Sequence, residues 1–155
     1  MAHPDHAAAL QRTLTKIEII MGSLLETLSE QRQAVADADL PRLLAAVARQ
    51  DEQIGDLAVA ERARLEAMIG LEAEDLPTAI SRLPADVRLR VLGTCDRIAT
   101  LVRRVDEARA ANQRLIDAAL RSTQGATRLL GPLVGPVEQP GGGRPLVAPL
   151  MDRRV

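Results

Sequence analysis

Residues able to do acid–base, nucleophilic or metal chemistry are few in this chain, and their spacing keeps them apart. His3, His6 and Cys95 are the only imidazole or thiol groups in 155 residues. His3 and His6 are three apart at a chain start expected to be mobile, and no third donor lies near enough to complete a metal site. Cys95 has no histidine in its own segment to take its proton, so it reads as a buried structural thiol. With one cysteine, no internal disulfide can form. The carboxylates alternate with basic residues, as solvated helix faces require. Gly141-Gly142-Gly143 is no phosphate loop, because no strand precedes it and no lysine follows. No base, nucleophile and orienting partner fall within reach of one another. We therefore expect no catalysis, no cofactor and no metal, and a chain that works by binding another protein.

One polar residue stands in an apolar setting. Asn112 lies seven residues after Val105, on a stripe of apolar residues. Two readings fit: a buried amide that fixes helix register, or a polar anchor for a bound partner.

The elements that position these residues are helices. The chain has no Phe, Tyr or Trp, so its core comes from Leu, Ile, Val, Met and Ala. Strands draw on aromatic and β-branched residues, whereas Leu and Ala favour helices. From Asp5 to Asp37, Leu10, Leu14, Ile17, Met21, Leu24, Leu28, Gln31 and Val35 follow at steps of four and three. That is the seam of a helix packed lengthwise on others, and Ile20 and Leu25 widen it as a bundle requires.

Asp39 is a good N-cap and Pro41 suits a first turn, so a second helix is expected from there to Gly70. Its expected stripe is Leu40, Leu43, Val47, Ile54, Leu57, Leu65 and Met68, interrupted by Gln50 and Glu61. Gly70 is placed to end it as a left-handed cap. The short turn between these helices predicts an antiparallel hairpin. Asp75-Leu76-Pro77 predicts a short helix through Leu83, and Pro84 opens a third long helix to about Leu130. The stripe of that helix is Val87, Val91, Cys95, Ile98, Leu101, Val105, Ala108, Asn112, Leu115 and Ala119.

After Gly131, Pro and Gly recur too often for a helix to continue. The expected organisation is an all-α, elongated antiparallel bundle or coiled-coil hairpin over residues 1–130. It has three long helices and a short connecting one, followed by a disordered Pro/Gly-rich tail over 131–155.

The net charge is −1, and nineteen of the twenty basic residues are Arg. They sit beside carboxylates, as Arg62 beside Glu61 and Arg97 beside Asp96, which leaves no basic stripe for nucleic acid. Single strands also need aromatic stacking platforms, which are lacking. The start of the chain has no long apolar core, and no stretch reaches the ~20 apolar residues of a membrane span. A soluble, cytoplasmic protein without membrane insertion is expected.

Particular segments match a known pattern. Leu24-Leu25-Glu26-Thr27-Leu28 lies in a long first helix. Val35-Ala36-Asp37-Ala38-Asp39-Leu40 leads into Leu43-Leu44, and Ile54-Gly55-Asp56-Leu57 follows in a charged helix. The last helix carries Ala111-Asn112-Gln113-Arg114-Leu115-Ile116. Over roughly Leu14 to Leu130 this layout resembles the FlgN family of flagellar export chaperones, although aromatic residues common in that family are missing here.

The resemblance implies a cytoplasmic chaperone for hook–filament junction proteins of the FlgK and FlgL types before type III export. It would bind their C-terminal helical segments, and possible further partners are the export apparatus and a second copy of the chain. By analogy the cargo surface comprises Asn112, Leu115, Ile116, Leu120, Leu129 and Leu130, with Leu133 and Val134 beyond. Two other classes compete with this reading: a structural coiled-coil adaptor that self-assembles, and a helical regulatory or signalling domain with a ligand pocket.

Overall fold

A computed structural model describes residues 4–130 of the chain, with side chains over residues 5–124. It contains helices α1 (Pro4–Ala36), α2 (Leu40–Gly70), α3 (Leu76–Ser81) and α4 (Ala85–Leu130), and no strand among the described residues. The expected all-α architecture of three long helices and one short one is therefore what the chain forms. The expectation for the tail, 131–155, lies outside the described residues. Two units divide the chain, Met1–Ala119 and Leu120–Val155. The first holds α1 to α3 and α4 as far as Ala119. The described part of the second is the remainder of α4.

In the first unit α1 is unbroken, and its seam faces inward as spaced. Leu10, Leu14, Ile17, Ile20, Met21, Leu24 and Leu28 are all buried, as is Gln31. They pack with Ala60, Ala67, Met68, Leu71, Ile80, Leu83, Val91 and Val105 from the other elements. Burying a Leu or Ile side chain is worth about 1.5–3 kcal/mol, so α1 supplies much of the stabilisation of this unit.

The turn into α2 follows the expected chemistry. Ala38 takes a left-handed conformation with φ 54°. The Asp39 carboxylate then accepts from the Arg42 backbone N–H at 3.0 Å, and Pro41 occupies the first turn. This cap satisfies a helix-terminal donor that has no intrahelical partner. α2 returns antiparallel to α1. Gln31 Nε2 donates to Gln50 Oε1 at 2.6 Å, and Gln53 Nε2 donates to Ser23 Oγ at 2.7 Å.

Two expectations for α2 are corrected. Its inward line is not the leucine stripe but Ala46, Gln53, Ala60 and Ala67, one residue every seven. Leu40, Val47, Ile54 and Leu65 are exposed instead. The reason is volume: α1 presents large side chains along its whole seam, and alanines opposite let the two backbones approach. Of the expected stripe, Met68 is buried and Leu43 and Leu57 are half-buried. Gly70 is also not the left-handed residue; Glu72 is, with φ 54°. Gly70 serves a close approach, since a Cβ there would collide with the His6 ring. His6 is accordingly held within α1 against the end of α2, rather than on a free terminus.

α3 turns the chain back. Asp75 caps it, accepting from the Thr78 backbone N–H at 2.7 Å. That hydrogen bond lowers the Asp75 carboxyl below its usual value. Arg82 anchors the connection by donating to the carbonyls of Leu71 and Glu72, both at 2.6 Å. α4 then runs parallel to α1. Arg97 Nε meets Glu18 Oε1 at 2.6 Å near one end, and Asn112 meets the Leu28 carbonyl near the other.

Candidate protein-binding surface

Asn112 of α4 is buried against α1. It is 6% exposed. Its Nδ2 donates to the Leu28 carbonyl at 2.7 Å and lies 3.5 Å from Gln31 Oε1, while its Oδ1 accepts from Arg32 Nε at 3.3 Å. Gln31 in turn donates to Gln50. The result is one polar layer running α4 to α1 to α2 within a mainly aliphatic core. A layer of this kind penalises any slide of α4 along α1, because a one-turn shift would leave a buried amide unpaired.

These bonds are the ones the register reading of Asn112 requires. Sequence spacing placed Asn112 on the stripe but could not reveal Arg32 and Gln31 as its partners, since they lie about eighty residues away. We expect Asn112→Ala to lower stability by about 1–2 kcal/mol, measured by urea unfolding. Unchanged stability would contradict the clamp.

The other candidate residues fall in both units. In the first, Leu115 and Ile116 are half-buried. In the second, Leu120 is 57% exposed. Leu129 and Leu130 belong to the last turns of α4, and their side chains lie outside the described residues, as do Leu133 and Val134 altogether. Arg114 and Arg121 are exposed on the same helix. Each half of this candidate surface therefore offers aliphatic side chains with guanidinium groups nearby, the composition of a helix-binding contact.

The remaining chemistry-bearing groups are quiet. Cys95 is half-buried in an open groove with Leu14, Ile17, Leu76 and Ile98. Burial, followed by the charge of Asp96, pushes its thiol above the usual cysteine value. A thiol so shifted is a poorer nucleophile at neutral pH. Arg97 is shifted upward by its hydrogen bond to Glu18. No group of three or more His, Cys, Asp or Glu able to hold a metal occurs among the described residues. No described helix is long and apolar enough to cross a membrane.

Sequence spacing also missed an exposed apolar face on α2, where Leu40, Leu44, Val47, Ile54, Val59, Leu65 and Ile69 all stand in solvent. The signal that could have found it is the line of small residues at Ala46, Ala60 and Ala67. With that line turned inward, the side of α2 opposite it, which carries Leu44, Val59 and Ile69, faces solvent.

A family model described as FlgN protein matches residues 1–138. No curated protein and no solved structure matches the chain.

Proposed function

Because this chain belongs to the FlgN family of flagellar export chaperones, we propose that its cargo is the C-terminal helical segment of hook–filament junction proteins of the FlgK and FlgL types. It holds them in the cytoplasm until type III export. The family match carries the chaperone role, and the helical architecture supports the mode of binding. An exported subunit with an amphipathic terminal helix self-associates unless that helix is covered, and a chaperone helix covers it by side-to-side packing.

The cargo surface we assign is the C-terminal part of α4. Leu115 and Ile116 serve in the first unit, and Leu120, Leu129 and Leu130 in the second, with Leu133 and Val134 extending it. Asn112 bounds the surface and holds α4 in register beneath it. Since this chain has no aromatic residue, the aromatic anchors that dominate many interfaces come from the cargo, and Arg114 and Arg121 rim the contact. The export apparatus is the partner that receives the complex.

The test is calorimetric titration of the full chain with separate N-terminal and C-terminal fragments of a junction protein. Binding to the C-terminal fragment alone is the expected result. Binding to the N-terminal fragment alone, or to neither, would overturn the cargo assignment.

A further inference from the structure

The outward face of α2 is an apolar stripe without a partner in the chain. At 100° per residue, the arc opposite the buried line of Ala46, Gln53, Ala60 and Ala67 carries Leu40, Leu44, Val47, Ala48, Ile54, Gly55, Ala58, Val59, Leu65 and Ile69. Leu44 is 60% exposed, Val59 62% and Ile69 74%. Three charged residues interrupt the arc: Asp51 and Arg62 at its centre, and Glu66 at its edge.

Arg62 is unusual among the arginines of this helix. The other arginines of α2 are engaged: Arg42 and Arg49 with Glu30, and Arg64 with Glu61. Arg62 and Asp51 make no ion pair or hydrogen bond among the described residues. An exposed apolar stripe of this length marks an interaction site more often than bare surface.

We propose that this face binds the same face of a second copy of the chain, antiparallel, about a two-fold axis passing between Asp56 and Leu57. About that point most of the stripe finds a matching partner, and its one mismatch sets Val47 against Glu66. Asp51 of each copy faces Arg62 of the other, so the two unpaired charges neutralise each other twice. Leu44 faces Ile69, Ala48 faces Leu65, and Ile54 faces Val59.

At the axis itself Gly55 faces Ala58. The space above Gly55 is open, with nothing within 4 Å of where a Cβ would stand, so the helices can approach closely where they cross. The matched span from Leu44 to Ile69 is roughly 37 Å long at 1.5 Å per residue. A two-fold interface requires one patch to fit itself, and this patch does so in size at its centre, in charge at Asp51 and Arg62, and in apolar pairing of Leu44 with Ile69 and Ala48 with Leu65, with Glu66 left at the rim. The proposal goes beyond the cargo reading and uses no residue of α4.

Sedimentation velocity of the full chain, from about 1 to 100 µM, tests it. A monomer–dimer equilibrium is expected. Asp51→Arg sets Arg against Arg62 at two symmetric places and should weaken the dimer about tenfold or more, because like charges facing across an interface are disfavoured. Arg62→Asp should do the same, and the double exchange Asp51→Arg with Arg62→Asp should restore the dimer. Val59→Glu, at a position 62% exposed, breaks the apolar contact independently, and circular dichroism checks that each variant stays helical. A chain that remains monomeric throughout overturns the proposal. So does a dimer indifferent to these substitutions, or one that the double exchange fails to restore.

Discussion

Leu120→Asp is expected to abolish cargo binding while leaving the bundle of the first unit folded. Leu120 is 57% exposed in the free chain, so a carboxylate there meets water and the fold has no reason to change. In the complex we propose, the same position is covered by a helix of the junction protein. Burying an unpaired carboxylate in that contact costs several kcal/mol, which is about a thousandfold or more in affinity.

Leu115→Asp should weaken binding comparably, but Leu115 is half-buried, so some of its effect will appear as lost stability. The pair of variants separates the two roles. Calorimetric titration against a C-terminal junction-protein fragment reads affinity, and thermal melting reads stability. Wild-type affinity in Leu120→Asp would show that the cargo surface lies elsewhere.

Leu28→Ala should produce the largest loss of stability among single core truncations near the polar layer. Leu28 is 2% exposed, and its carbonyl accepts the Asn112 amide. Truncation of a buried Leu to Ala costs about 2–5 kcal/mol, depending on how far the site collapses. Here collapse is opposed, because moving α4 inward would strain the Asn112 hydrogen bond. For a domain of this size the loss corresponds to a fall in melting temperature on the order of 10 °C. Ile19→Ala serves as the control: Ile19 is 66% exposed on the opposite face of the same helix, and surface truncations cost about 0.5 kcal/mol or less. Equal melting temperatures for the two variants would contradict the inward seam assigned to α1.

How far the sequence discloses this molecule differs from helix to helix. α1 is legible almost completely, because a bundle helix that contributes the large core residues carries them at regular steps of four and three. The caps at Asp39 and Asp75 are legible for a similar reason: a short carboxylate before a proline-bearing first turn has one favourable use.

α2 misleads because two stripes run along it. The apolar stripe of Leu40, Val47, Ile54 and Leu65 is the more conspicuous, yet packing against the large residues of α1 selects the alanine line instead. That selection depends on the neighbour's side-chain volumes, which no pattern internal to α2 contains. Gly70 was misassigned in the same way, since its use is the approach of His6 from sixty-four residues earlier.

Of the candidate site, the position of Asn112 on the stripe of α4 was readable. Its clamp to Leu28, Gln31 and Arg32 was not, because the partner set is fixed by the parallel register of α1 and α4. What tertiary contact adds to spacing at Asn112 is its set of intramolecular partners, which is what the register reading requires.

The central claim is that cargo binds the C-terminal part of α4. Hydrogen–deuterium exchange of the full chain, with and without a saturating C-terminal fragment of a FlgK-type protein, tests it most directly. The account predicts added protection of backbone amides across 112–130, with exchange along α1 and across Leu40–Gly70 unchanged. Protection falling on α2 instead, or binding that leaves 112–130 exchanging as in the free chain, would contradict it.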